Sequence, residues 1–191
     1  MSIENYKSLK KILDLEFKLY FKNNKHYYRH CILRTKEYRI WNYQKALRYL
    51  ELYKNRIMNG SGIYSKLLFL YYSRKVNQLG LQLGIDTWCN VFGEGLRIYH
   101  AAGGIVVNSE ARVGKNCHLH GNNCIGNNGK AGGKSPIIGD NCILGVGAKV
   151  LGDIRLANNI KIAAGAVVIK SCMEEGVTLA GVPAKVVESR L

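Results

Sequence analysis

From residue 107 onward a large aliphatic side chain recurs at every sixth position: Val107, Val113, Leu119 and Ile125, then, after one gap, Ile138, Leu144, Val150, Leu156, Ile162 and Val168. Four positions after each comes a mostly small residue, from Ala111, Cys117 and Asn123 through Cys142, Ala148, Ile154, Ile160, Ala166 and Cys172. The position directly after each aliphatic is often small or turn-forming, as at Asn108, Gly114, Gly126, Gly139, Gly145, Ala157 and Ala163. A helix repeats every 3.6 residues and a two-sided strand every two. A period of six therefore predicts short strands that meet at corners. Three hexads close one triangular coil, and ten stack into a solenoid of a little over three coils, each burying its neighbour's aliphatic layer.

The first eighty residues follow a different pattern. A helix capped by Ser2 is predicted to run through about Tyr20, and Ile40, Tyr43, Leu47 and Leu50 form an amphipathic stripe on a helix from Lys36 to about Met58. Asn59, Gly60, Ser61 and Gly62 break it. A third, more apolar helix is predicted from Ile63 to about Asn77 and should pack against something large. The predicted fold class is mainly β, a C-terminal parallel β-helix solenoid preceded by an α-helical domain. The expected division is 1–80 for the helices, 81–173 for the solenoid with an insertion at 126–137, and 174–191 for a tail packed on the solenoid.

Charge sharpens this division. The chain of 191 residues carries +15, but residues 1–80 hold 17 Lys and Arg against 5 Asp and Glu, while the remainder hold 11 against 8. Eleven of the 12 tyrosines precede residue 81 and 18 of the 21 glycines follow it. The basic, tyrosine-rich helices read as a solvated cap over the solenoid, or as a patch for an anionic glycan or an anionic membrane face. No nucleic-acid-binding motif accompanies the charge. There is no apolar run of eighteen residues, and the first residues alternate charge with apolar side chains where a signal peptide would have its core, so the expected location is cytoplasmic, with any membrane contact peripheral. Of the six cysteines, Cys117, Cys142 and Cys172 fall in the small-residue series and are expected to fill the ladder rather than catalyse.

The gap in the period is informative. The spacing from Ile125 to Ile138 is thirteen instead of six, and the intervening GNNGKAGGKSP is too rich in glycine to form core. It should leave the solenoid as a loop whose backbone amides approach a ligand, with Lys130 and Lys134 adding positive charge for a phosphate or carboxylate.

The stretches GLRIYHAAGGIVVN at 95–108, GNNGKAGGKSP, IGDNCILGVGAKVLGDI at 138–154, AAGAVV and AGVPAKVV resemble, in order and spacing, serine O-acetyltransferase and its relatives among the hexapeptide-repeat acyltransferases. The resemblance covers residues 84–187. It implies a left-handed β-helix, acetyl-CoA as the donor substrate, no metal, and a homotrimer in which neighbouring solenoids share each active site. His100 matches the family's catalytic histidine. A neutral imidazole is what the reaction needs, since a hydroxyl must lose its proton as it attacks a thioester. The family orients that histidine with an upstream aspartate. Here Asp86 lies fourteen residues before His100, although an ungapped alignment places Ile85 there, and Glu94 is the spare carboxylate.

The departures fall on the acceptor side. The family's acidic residue before the histidine is Tyr99, and its Arg-His pair beside the loop is replaced by Lys134 and Ser135. Tyr99, Glu94 and Lys134 are the expected acceptor-binding residues. Two charge-assisted contacts to an amino acid are thereby lost, and the N-terminal helices show no sequence similarity to the family's helical domain. The preferred acceptor is therefore a saccharide hydroxyl in surface-polysaccharide synthesis, with tyrosine as a stacking face; serine is the alternative. For acetyl-CoA the matching positions are Gly129, Gly147, Ala148, Ala164 and Gly165, with Lys149, Lys170 and Lys185 for its phosphates. Three other readings compete: transfer to an amino-sugar nitrogen, a carbonic-anhydrase-like zinc site using His118 and His120, and a scaffold without catalysis.

Overall fold

The computed structural model describes residues 3–129 and 132–187; Ser2, Lys130 and the last four residues of the tail lie outside them. The chain divides between Leu83 and Gly84 into two compact units. The first contains four helices: α1 (Tyr6–Tyr20), α2 (Asn24–Ile32), α3 (Lys36–Met58) and α4 (Ile63–Leu83).

The cap of α1 is Asn5, whose side-chain oxygen accepts from the Ser8 amide at 2.9 Å while the Ser8 hydroxyl accepts from the Asn5 amide at 3.3 Å. Helix α2 was not expected from the sequence. None of its residues is buried, so it has no apolar stripe to betray it, and it is started by the Asn23 side chain, which accepts from the His26 amide at 2.9 Å. Helix α4 runs six residues beyond the expected Asn77. It packs one apolar face as expected, with Leu68, Phe69 and Tyr72 against the core of the helical unit and Val76 buried, while Ile63, Tyr64, Leu67, Leu70 and Tyr71 are exposed.

An apolar cluster of Ile3, Leu9, Ile12, Leu52 and Tyr53 ties α1 to α3. A buried ion triad sits beside it on the same two helices. Arg48 donates to Glu16 at 2.6 Å and to Glu51 at 2.8 Å, with all three side chains at most 2% exposed. The two carboxylates hold the guanidinium charged, against the desolvation that would neutralise it.

The second unit is a left-handed parallel β-helix with three faces. Strands β1 (Ile85–Asp86), β3 (Ile105–Val107), β6 (Asn123–Gly126), β9 (Lys149–Leu151) and β12 (Val167–Val168) form one sheet. Strands β4 (Arg112–Val113), β7 (Ile137–Ile138) and β10 (Arg155–Leu156) form the second. The third contains β2 (Arg97–Ile98), β5 (His118–Leu119), β8 (Ile143–Leu144), β11 (Lys161–Ile162) and β13 (Thr178–Gly181), and β14 (Ala184–Val187) closes it by pairing antiparallel to β13. Residues 174–187 thus extend the solenoid as a hairpin.

All ten periodic aliphatics are buried. Uninterrupted coils pair at a register of eighteen residues, as in Ile143 with Lys161 and Lys149 with Val167. The coil containing the loop pairs at twenty-five, as in His118 with Ile143. The period also reaches further back than the sequence pattern showed. Phe92 bridges to Val113, and Ile98 pairs with Leu119 at a register of twenty-one, because three extra residues in the corner around 100–104 hide the repeat.

The corners explain the small residues. At one, Asn116, Asn141 and Asn159 all take positive φ (52°, 57° and 62°) and link side chain to side chain up the stack at 2.9 and 3.1 Å. Asparagine tolerates that conformation and supplies the ladder that glycine could not. Among the described residues no helix is long and apolar enough to cross a membrane.

Candidate active site

The coil is interrupted at two places, and the candidate chemistry lies at both. His100 follows β2 at the start of the corner with extra residues, and is exposed. Behind it the corner is tight: a side chain at Gly121 would meet the His100 carbonyl at 2.8 Å, so that position stays glycine and its coil runs flush beneath the histidine.

Tyr99 points outward from the six-stranded face, where its amide donates to the Leu119 carbonyl at 2.9 Å. Its ring stacks on His120 at 4.5 Å between centroids, meets His118 edge-on at 5.7 Å, and carries the Arg97 guanidinium at 5.0 Å. Register explains the array. Arg97 lies opposite His118 and Ile98 opposite Leu119, and the next residue of each segment, Tyr99 and His120, meet ring on ring. Burial, then His120, then Arg97 push the His118 pKa below the ordinary imidazole value, favouring its neutral form. His120 is the member that the sequence offered only as a metal ligand. Its spacing of two from His118 marked a shared face, but nothing local marked Tyr99 as the partner. Among the described residues no group of three or more His, Cys, Asp and Glu side chains is placed to hold a metal ion.

Asp86 lies on β1, two residues after Gly84, whose carbonyl accepts from the Ile105 amide at 2.8 Å where the His100 corner ends. It lines a cleft of about 680 Å³ with Thr87, Val106, Asn108, Cys124 and Asn127, and His100 is not among the lining residues. Strand β1 pairs with β3, the strand that the His100 corner leads into, with Asp86 opposite Val106. The Thr87 hydroxyl, buried beside Asp86, finds no protein partner and is free to bond a ligand or water in the cleft. Glu94 forms an ion pair with Lys115 at 3.1 Å, which gives that carboxylate a partner of its own.

The loop leaves β6 at the rim of this cleft, since Gly126 and Asn127 line it. Asn127 accepts from the Gly129 amide at 3.1 Å, which turns the loop, and Gly129 is exposed at φ 79°. Lys134 faces solvent, paired loosely with Asp153 at 3.6 Å. Ser135 is buried.

Among the expected donor-binding positions, Ala148 is corrected. It is fully buried, its amide donates to Gly145 and its carbonyl accepts from Cys124, so it fills the ladder and has no group to offer coenzyme A. The amides of Gly147 and Gly165 are likewise taken up by the coil stack, by Gly121 and Val146, and both residues are glycine because φ is 75° and 70°. Ala164, Gly165, Lys170 and Lys185 are exposed, and the half-buried Lys149 directs its amine toward the Gly147 carbonyl at 3.5 Å. Cys117 and Cys142 stack inside the solenoid, and burial raises both thiol pKa values, as expected of ladder filling.

No family model matches the chain. Curated relatives do. It is 36% identical to the serine acetyltransferase of Synechococcus elongatus over 96 residues, 50% of this chain and 38% of that protein. It is 39% identical to that of Mycobacterium tuberculosis over 98 residues, 51% and 42% of the two chains. With the serine acetyltransferase of Staphylococcus epidermidis it shares 31% over 139 residues, 72% and 60%. The chain is a serine O-acetyltransferase-like hexapeptide-repeat protein. It spans less than half the length of the first two of these relatives. Solved structures agree. The serine acetyltransferase of Neisseria gonorrhoeae superimposes with a TM-score of 0.68 at 26% identity over 95% of this chain and 68% of that one. The soybean apoenzyme gives 0.72 at 24% over 94% and 69%, a likeness of fold. The 139-residue match is longer than the solenoid unit, Gly84–Leu191, so the likeness in sequence reaches into the N-terminal helices, and the structural match takes in both units.

Proposed function

We propose that this serine O-acetyltransferase-like chain transfers an acetyl group from acetyl-CoA to a hydroxyl, with His100 as general base. The observation that carries the reading is His100 itself, exposed at an interrupted corner in the HAAGGIVV setting of the family. Its imidazole takes the hydroxyl proton as the oxygen attacks the thioester carbonyl. Collapse of the tetrahedral intermediate breaks the C–S bond, and the leaving thiolate recovers the proton from the imidazolium, so no acyl-enzyme is needed. Asp86 is the proposed orienting carboxylate. A trimer would complete the site with loop residues of a neighbouring copy.

The relatives' names support serine as the acceptor, ahead of the saccharide preferred from sequence. One observation keeps the saccharide as a second reading. The residue before His100 is a tyrosine held in a stack with His120 under Arg97, which presents a flat face and no carboxylate to an ammonium. Acetyl-CoA-dependent thiol release with L-serine, amino-sugars, neutral sugars and oligosaccharides separates them. Release with serine supports the first, release with saccharides alone the second, and release with no acceptor overturns the transfer reading.

A further inference from the structure

The helical unit contains a groove of its own, lined by no residue of the solenoid. Helices α1, α2 and α3 enclose about 510 Å³ between them, and half of the lining residues are aromatic: Tyr6, Phe17, Tyr27, Tyr28, Trp41 and Tyr49. Phe17 fixes the floor, packing on Trp41 at 5.8 Å and on Tyr27 at 5.5 Å between centroids. Tyr28, 63% exposed, stands beside Tyr27 at 5.6 Å with its ring turned out to solvent. Leu9 and Leu13 add to the apolar lining, and the polar groups are Lys10, Lys45, Asp14 and Asn24, all exposed. Among the described residues neither lysine forms an ion pair.

The geometry points to a binding site for an acidic saccharide. A pyranose ring has a flat C–H face that packs on an aromatic ring, and hydroxyls around its edge that need hydrogen-bonding groups at a rim. The groove offers both. Its two unpaired lysines, in a segment with 17 basic residues against 5 acidic, suit a carboxylate-bearing sugar over a neutral one. Concavity argues against a membrane face, which would call for aromatic side chains protruding from a convex basic surface. Helix α2, with no core residues of its own, has a purpose here. It supplies Asn24, Tyr27 and Tyr28 to the third wall. The groove is lined by residues of the helical unit alone, so the inference does not rest on the transfer reaction or its acceptor.

Trp41 is the only tryptophan of the helical unit, Trp88 belonging to the solenoid, so the intact protein carrying Trp88→Phe reports on the groove by fluorescence. Titration with tetragalacturonate should give a saturable change in Trp41 emission that weakens as salt is added. Tyr28→Ala should weaken binding by about tenfold, and Lys10→Gln with Lys45→Gln by at least as much, the equivalent of one charge-assisted hydrogen bond. Both sites are exposed, so the variants should fold. The inference is overturned if Trp41 does not respond, if maltotetraose binds equally well, if the response comes only with acidic phospholipid vesicles, or if it follows protein concentration alone, which would make the groove a contact between copies.

Discussion

Gly145 and Gly126 hold the same place in the hexad, each directly after a buried aliphatic, yet the structure predicts opposite outcomes for alanine. At Gly145 an added Cβ would lie 2.7 Å from the Ala164 nitrogen, 2.9 Å from the Ile162 oxygen and 3.0 Å from the Ala163 carbonyl carbon, all backbone of the next coil. None of these atoms can move without shifting the strand pairing above. Overpacking of this kind costs about 1–3 kcal/mol, reduced by about 0.4–1 kcal/mol for the entropy that alanine removes from the unfolded chain. Gly145→Ala should therefore destabilise the solenoid by about 1–2 kcal/mol. At Gly126 nothing lies within 4 Å and φ is not left-handed, so only the entropy remains and Gly126→Ala should be neutral or slightly stabilising. Urea unfolding of Trp41→Phe protein, followed by Trp88 fluorescence, isolates the solenoid transition. Equal midpoints for the two variants would refute the idea that coil-on-coil contact, rather than corner conformation, dictates these glycines.

Arg48→Met should cost the helical unit about 3–5 kcal/mol, because it leaves Glu16 and Glu51 buried without their countercharge; a loss below about 1 kcal/mol in urea unfolding followed by Trp41 would contradict the triad's role. His118 should titrate below the ordinary imidazole value of about 6.5, and its share of stability, present above that pH, should fall away as the pH drops through the lowered folded value. Arg97→Gln removes one cause of the depression, so the NMR titration of His118 should shift upward; an unchanged or lower midpoint would be evidence against the array. Cys117 and Cys142, whose thiols burial holds protonated, should resist a disulfide reagent at pH 8 in the native protein and react in urea. Rapid native labelling of either would contradict their place in the ladder.

The solenoid was legible because its constraint is local and strict: every sixth side chain in the series from Val107 to Val168 points into the core and is an aliphatic, interrupted only by the loop. The earlier coil was not, because three extra residues after His100 displace Phe92 and Ile98 from the period. Helix α3 announced itself through a stripe of buried residues, whereas α2 buries none and depends on Asn23 and on aromatic contacts from distant residues. In the candidate site, His100 and the loop could be read from the chain. The Tyr99–His120 stack could not, since it depends on a register of twenty-one that only the folded coil sets. Ala148 shows the converse error. A small residue at a hexad position matched a family donor contact, but its side chain and both backbone groups belong to the core.

The central claim is that His100 is the base for acetyl transfer. It is tested most directly by comparing wild type with His100→Ala for acetyl-CoA binding and for acceptor-dependent thiol release in the same preparation. The account predicts unchanged acetyl-CoA affinity with turnover lowered by about 10²–10⁴-fold. Turnover within a few-fold of wild type would contradict it.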